Sequence, residues 1–222
     1  MGNDGSRPNS GRLLILGGGG HASVVADILK SVEYQELLSS AAVLDAGLFE
    51  GEKQTSFGLP VVGNDEFLQR AKTEGFARFV VAVGGGIDSQ KRKALFDRAV
   101  EAGLSPLTLV HPLAVVSQSA KLGPGTTVMP KSVVNANSRV GANAIINTSA
   151  VVEHDCSIGD HVHVAPRACL LGGVAVEDLA FVGAGSVIRQ GLKIGEGAVV
   201  GCGAVVVKDV PSGATVYGNP AI

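Results

Sequence analysis

The sequence predicts two domains of different class, a small parallel α/β domain followed by a three-sided parallel β solenoid. Three observations lead there. From Val110 to Val206, every sixth residue is Val, Ile or Leu, seventeen positions without a break. Ahead of that series, short apolar runs end in glycine clusters and alternate with stretches of helical spacing. A chain of 222 residues is also long enough for two separate cores.

The period of six belongs neither to a lone amphipathic helix nor to a simple alternating strand. As a multiple of two, it lets one aliphatic side chain point inward from every short strand. The residue four places on is nearly always small, as in Ala114, Thr126, Ser138, Ala150, Cys156, Ala168, Ser186 and Ala204. Glycine often follows the aliphatic residue directly, as in Leu122-Gly123, Val140-Gly141, Ile158-Gly159 and Val182-Gly183. These small positions are expected to make the corners between strands. Three hexads per coil stack into a solenoid that buries one continuous core.

In chain order, residues 1–12 are polar and rich in Gly, Asn and Ser, and are expected to be a disordered leader. Residues 13–105 form the α/β domain and residues 106–222 the solenoid. Leu13–Leu16 reads as a strand, Gly17–Gly20 as a turn, and Ala22–Leu29 as a helix, the opening of a βαβ unit. A second strand, Ala41–Leu44, ends at Asp45. Leu59–Val62 leads into a helix capped near Asn64 or Asp65. Phe79–Val83 is a third strand, followed by Gly84-Gly85-Gly86 and a helix from Ser89 to Ala102.

A net charge of −2 proposes neither nucleic acid nor an anionic membrane as a partner. No apolar run is long enough to insert through a bilayer. Three cysteines, Cys156, Cys169 and Cys202, are odd in number and lie inside the repeat. Cys156 occupies a small-residue slot and reads as a buried filler, and a reducing cytoplasm fits the set.

Gly17-Gly-Gly-Gly-His-Ala22 satisfies the G-x-G-x-x-A pattern, and Asp45 stands at the next strand end. Glycines after a strand let backbone N–H groups and a helix N-terminus hold a pyrophosphate. The pattern alone suggests NAD, but the loop could equally hold the pyrophosphate of a nucleotide-sugar, and the rest of the chain is a repeat and not a substrate domain for hydride transfer. Gly18, Gly19, His21, Asp45 and Gly84 are the nucleotide-binding candidates; the plainer reading is that the glycines only make tight turns. In the repeat, His154 lies two places past an inward residue, hence on the outer surface. Gly172 and Ala136 stack above and below it, leaving open space for a substrate. Asp155 and Glu153 flank it, as a general base requires. His163 follows by half a coil, so the two histidines share a site only between copies, and a ring closing around the coil axis implies a homotrimer.

The hexads, with Gly17-Gly-Gly-Gly-His21, Asn147-Thr-Ser-Ala-Val-Val-Glu-His154-Asp155 and Tyr217-Gly-Asn-Pro220, resemble the hexapeptide-repeat sugar O/N-acetyltransferases. That group includes sialic acid O-acetyltransferase and the N-acetyltransferases of nucleotide-linked amino-dideoxy sugars in the bacillosamine and perosamine pathways. The resemblance implies a Rossmann-like parallel-sheet domain and a left-handed parallel β-helix. It implies acetyl-CoA as co-substrate and a nucleotide-sugar as acceptor, with UDP-4-amino-4,6-dideoxy sugar as the first choice. Carried over, it makes His154 the catalytic base with Asp155 as its acidic partner, and puts Asn147 and Glu153 on the acceptor side. His163 would bind acetyl-CoA from the adjoining subunit, Gly172 would lie along the CoA arm, and His21 and Asp45 would meet the nucleotide. O-acetylation of a sugar such as sialic acid is the alternative. A zinc site of the γ-carbonic-anhydrase type, drawing on His154, His161 and His163, fits the spacing less well, and no metal is expected.

Overall fold

The computed structural model describes residues 11–50, 54–84 and 89–222. The expected leader therefore lies outside the described residues except for Gly11 and Arg12, and Arg12 already belongs to the first strand. The chain forms two compact units. One runs to Ala82 and takes in Arg98–Pro106; the other joins Val83–Asp97 to Leu107–Ile222. Gly84 thus groups with the second unit, where the sequence had suggested the first.

In the first unit the elements follow as β1 (Arg12–Leu16), α1 (Gly20–Leu29), α2 (Gln35–Ser39), β2 (Ala42–Leu44) and α3 (Ala46–Phe49). Then come β3 (Val61–Gly63), a 3-10 turn (Asp65–Phe67) running into α4 (Leu68–Ala71), β4 (Phe76–Val81), α5 (Gln90–Glu101), which belongs to this unit only from Arg98, and β5 (Ser105–Pro106). The five strands are parallel in the order β3-β2-β1-β4-β5, which makes this a Rossmann-like sheet with β1 at its centre. A central parallel strand has both faces covered, so it reads as an unbroken apolar run. Leu13, Leu14, Ile15 and Leu16 are all fully buried. Helix α1 buries Ala22, Val25, Ala26, Ile28 and Leu29 on one side.

Two sequence expectations shift here. Val61–Gly63 is a strand in its own right, and Asn64 then caps the following turn by accepting from the Glu66 N–H. The strand expected at Phe79–Val83 instead runs from Phe76 to Val81, because Phe76 and Phe79 both find buried positions in the core.

The second unit is a left-handed parallel β-helix with three sheets. The first face stacks seven two-residue strands from Leu109–Val110 to Thr215–Val216. The second stacks six, from Val115–Val116 to Val205–Val206, and the third five, from Lys121–Leu122 to Lys193–Ile194. Every pair is parallel, and all but the last, Val199–Val200 beside Thr215–Val216, keep an 18-residue register, as in Val134 beside Val152 and Val152 beside Leu170. The aliphatic residue of each hexad points into the core, and Val128 through Val206 in that series are buried. Each such side chain contributes about 1.5–3 kcal/mol.

The corners are not where the sequence placed them. The left-handed backbone falls three residues after each aliphatic position from Leu122 to Val200: at Lys131, Asn137, Asn143, Ser149, Asp155, His161, Arg167 and Leu179, and at Gly125, Gly173, Gly185, Gly191, Gly197 and Gly203. The small residue one step later is buried and lets the next strand close on the core; Ala150, Ala168 and Ser186 are each 0% exposed. The glycine directly after the aliphatic residue answers a different need. A Cβ on Gly123 would stand 2.5 Å from the Gly141 carbonyl carbon of the coil above.

Candidate active site

On the second face, strand Val151–Val152 delivers Glu153, His154 and Asp155 into the following corner. The corner is pinned from both sides in the stack. Asp155 N–H donates to the Ala136 carbonyl and Gly173 N–H to the His154 carbonyl, each at 2.9 Å. Asp155 has φ +60, a conformation that its short polar side chain tolerates. His154 Nδ1 is 2.8 Å from Asp155 Oδ2. A carboxylate only accepts, so Nδ1 carries the hydrogen and Nε2 keeps its lone pair. The His154 side chain is 61% exposed, and Nε2 looks outward across Gly172.

Two carboxylates hydrogen-bond to His154, Asp155 to its ring and Glu153 to its backbone N–H, each held by an asparagine of the coil below. Asp155 Oδ1 accepts from Asn137 Nδ2 at 3.1 Å. Glu153 Oε2 accepts from Asn135 Nδ2 at 3.0 Å and from the His154 N–H at 3.2 Å. The hydrogen bond from His154, and then the one from Asn137, hold the Asp155 carboxyl below its ordinary range. Asp155 is therefore a carboxylate at neutral pH, able to stabilise a positive imidazolium. The sequence reading did not pick out Asn135 and Asn137, although the same 18-residue count that found Gly172 and Ala136 leads to both.

His163 is on a different face, in strand His163–Val164, and only 5% exposed. Its Nε2 is 3.0 Å from Asn147 Nδ2, and its ring meets Phe181 edge-on at 5.3 Å between centroids. Asn147 therefore groups with His163 within one chain. The expected grouping of Asn147 with Glu153 and His154 is not made there, because Asn147 follows a strand of the first face and Glu153 one of the second.

His161 is a third, separate case. It occupies a corner with φ +60, is 7% exposed, and pairs its Nδ1 with Asn143 Nδ2 at 3.0 Å. Phe96 stands edge-on to its ring. Burial, and then the positive charge of Arg92, push the His161 imidazole below its usual range. Arg92 itself is 1% exposed and donates to the carbonyls of Asn143 at 2.7 Å and His161 at 2.6 Å. The zinc alternative would need these histidines to converge. Instead His154, His161 and His163 each have their own partners, and no group of metal-binding side chains forms among the described residues.

In the first unit, the glycine loop divides into two functions. Gly17 has φ +104, so the fold itself demands glycine there, whereas a Cβ on Gly18 would stand 2.4 Å from Leu48 Cδ1, the end of a side chain that can shift. Gly19 and Gly20 are exposed, with open space where a side chain would go. Nothing in the fold requires glycine there, and close approach of a ligand to backbone N–H groups at the start of α1 would. Asp45 holds the loop itself. Its Oδ2 accepts from the Gly18 N–H at 2.8 Å and its Oδ1 caps α3 through the Leu48 N–H at 3.1 Å. The carboxylate thus shapes the loop from beneath. His21 is half-buried in the first turn of α1. Gly84 is exposed, and Gly85 and Gly86 lie outside the described residues.

Residues 12–99 match the PglD N-terminal domain family. Among solved structures, a variant of perosamine N-acetyltransferase from Caulobacter crescentus, in complex with CoA and GDP-perosamine, is 38% identical with a TM-score of 0.87, over 96% of each chain. The acetyltransferase domain of PglB from Neisseria gonorrhoeae, in complex with acetyl coenzyme A, is 35% identical with a TM-score of 0.86, over 96% of this chain and 99% of its own. The chain belongs to the hexapeptide-repeat sugar N-acetyltransferases. WeeI from Acinetobacter baumannii is a third similar structure, 29% identical with a TM-score of 0.82, covering 95% of this chain and 98% of its own. No curated protein matches the chain. For a member of this acetyltransferase family, the exposed His154–Asp155 pair is the place where its chemistry is expected.

Proposed function

We propose that this protein transfers the acetyl group of acetyl-CoA to the amine of a nucleotide-linked amino-dideoxy sugar for glycan biosynthesis, with His154 as general base. The observation that carries the reading is the His154–Asp155 pair, with Nδ1 tied to a carboxylate and Nε2 open across a glycine. The neutral amine attacks the thioester carbonyl, forming the C–N bond, and Nε2 takes up the proton the nitrogen sheds. Asp155 stabilises the imidazolium. The C–S bond then breaks, and the proton passes to the departing thiolate. No acyl-enzyme is needed, since an amine attacks directly once neutral.

A homotrimer fits this chemistry. The outward residues of the second face are Val115, Val133, Val151, Cys169, Val187 and Val205, a continuous apolar stripe with Val115 62% exposed. The corresponding positions of the third face include Lys121, Arg139, Ser157 and Lys193. Six apolar side chains in a row beside His154 suit neighbouring copies better than water. The Asn147–His163 pair of one copy would then complete the site around His154 of the next, with Gly172 along the CoA arm. The nucleotide would sit against Gly18, Gly19 and His21, with Asp45 bracing the loop. The sequence reading preferred UDP; the likeness to a GDP-perosamine enzyme makes GDP the first nucleotide to test. No helix among the described residues is long and apolar enough to cross a membrane. The free thiols of Cys156, Cys169 and Cys202 support a cytoplasmic setting.

The test is steady-state acetyl transfer with a panel of GDP-, UDP- and dTDP-linked amino sugars, using wild type and folded His154→Ala. Loss of turnover in the variant supports the base, and near-normal turnover removes it. Mixing His154→Ala with His163→Ala subunits tests the shared site, since only mixed assemblies would regain activity.

A further inference from the structure

We propose that Asn137 is a positioning residue for this reaction, aiming the Asp155 carboxylate so that its other oxygen faces His154; the proposal rests on His154 acting as base. Three successive coils build the arrangement. The Ser119 hydroxyl, itself 3.1 Å from the Ser117 hydroxyl, accepts the Asn137 N–H at 3.0 Å. The Asn137 amide donates to Asp155 Oδ1 at 3.1 Å, and Asp155 Oδ2 accepts from His154 Nδ1 at 2.8 Å. A carboxylate turns freely about its last bond. One oxygen anchored from below leaves the other fixed toward the imidazole.

The chemistry asks for an amide at this place. A donor on Asp155 Oδ1 keeps the carboxylate charged and oriented without competing for the His154 proton. Asn137 has φ +61, where asparagine is among the few side chains tolerated. The group is exposed, so its hydrogen bond adds little to folding, and an effect of its loss on rate is an effect on orientation. The neighbouring carboxylate, Glu153, accepts from the His154 N–H and is held separately by Asn135.

Two variants separate donor from bulk. Asn137→Gly removes the amide at a corner position that glycine fills in other coils, such as Gly173 and Gly185. Asn137→Asp keeps shape and corner tolerance but replaces the donor with a second carboxylate. Each is assayed for kcat, both KM values, the pH profile of kcat and melting temperature, alongside His154→Ala. Expected are a fall in kcat of about tenfold or more in both, KM values within about twofold, and an unchanged melting temperature. The acidic limb of the profile moves to lower pH in Asn137→Gly, where Asp155 supports the imidazolium less, and to higher pH in Asn137→Asp. Wild-type kcat and pH profile in both variants, with His154→Ala inactive, would overturn the proposal and leave the base in place. Turnover in His154→Ala would overturn the base assignment and this proposal with it.

Discussion

Gly172 and His154 fit together so closely that no side chain can stand between them: a Cβ at 172 would lie 2.6 Å from Cε1 and 2.7 Å from Nε2 of the imidazole. The obstructed group is the end of an exposed side chain, which can swing away at small cost to the fold. The chemistry cannot yield so easily, because the base must keep its place. Gly172→Ala is expected to lower kcat by about a hundredfold while shifting the melting temperature little. Kinetics paired with a thermal melt checks this, and an active Gly172→Ala enzyme would mean that the observed His154 rotamer is not the working one.

Arg92 should matter to stability far more than its place on a polar helix suggests. Its guanidinium is buried, and burial lowers its pKa to about 10. It satisfies two corner carbonyls, those of Asn143 and His161. Arg92→Met keeps the stem but orphans both acceptors, at a cost of about 3 kcal/mol. Denaturant titration measures the loss; a change below about 0.5 kcal/mol would show that water replaces the guanidinium freely.

The same cluster sets a pH dependence of stability. The His161 imidazole titrates below its ordinary value of 6.5 in the folded chain because it is buried beside Arg92. The unfolded chain therefore binds more protons once pH falls below about 6.5, and stability declines as pH drops from there through the folded value. Thermal melts between pH 7.5 and 5, bracketing that window, should show this slope in wild type and a shallower one in His161→Gln. Equal slopes would remove His161 from the effect.

The corner positions make a backbone prediction. Lys131 is exposed with φ +60, where a β-branched side chain is worst placed. Lys131→Val should be less stable than Lys131→Gly by about 1–2 kcal/mol, read from denaturation midpoints of the two variants. Indistinguishable midpoints would show that this corner relaxes without strain.

The inward hexads and the 18-residue register are written in the sequence, because every aliphatic position repeats and no other period brings them to one core. The corners were harder to see. Their left-handed residue is glycine in the later coils but Lys131, Asn137, Asp155, His161, Arg167 or Leu179 elsewhere, and such a mixture hides a purely conformational requirement. His154 was legible for a related reason, since stacking arithmetic alone places small residues above and below it. The bracing role of Asp45 was not legible, because a carboxylate at a strand end looks the same whether or not it also holds a loop. Arg92 carried no local signal: an arginine on a helix reads as solvated until the corner carbonyls that bury it are known.

The register gives this molecule two reading frames of different length. The core is indifferent to any insertion of six residues, since another aliphatic side chain arrives inward on schedule. The site tolerates only whole turns, since a six-residue insertion between Asp155 and Gly172 would carry Gly172 to another side of the stack and put a different residue over the imidazole. Lineages that lengthen or shorten such a chain can thus keep a sound solenoid and lose its chemistry in a single step.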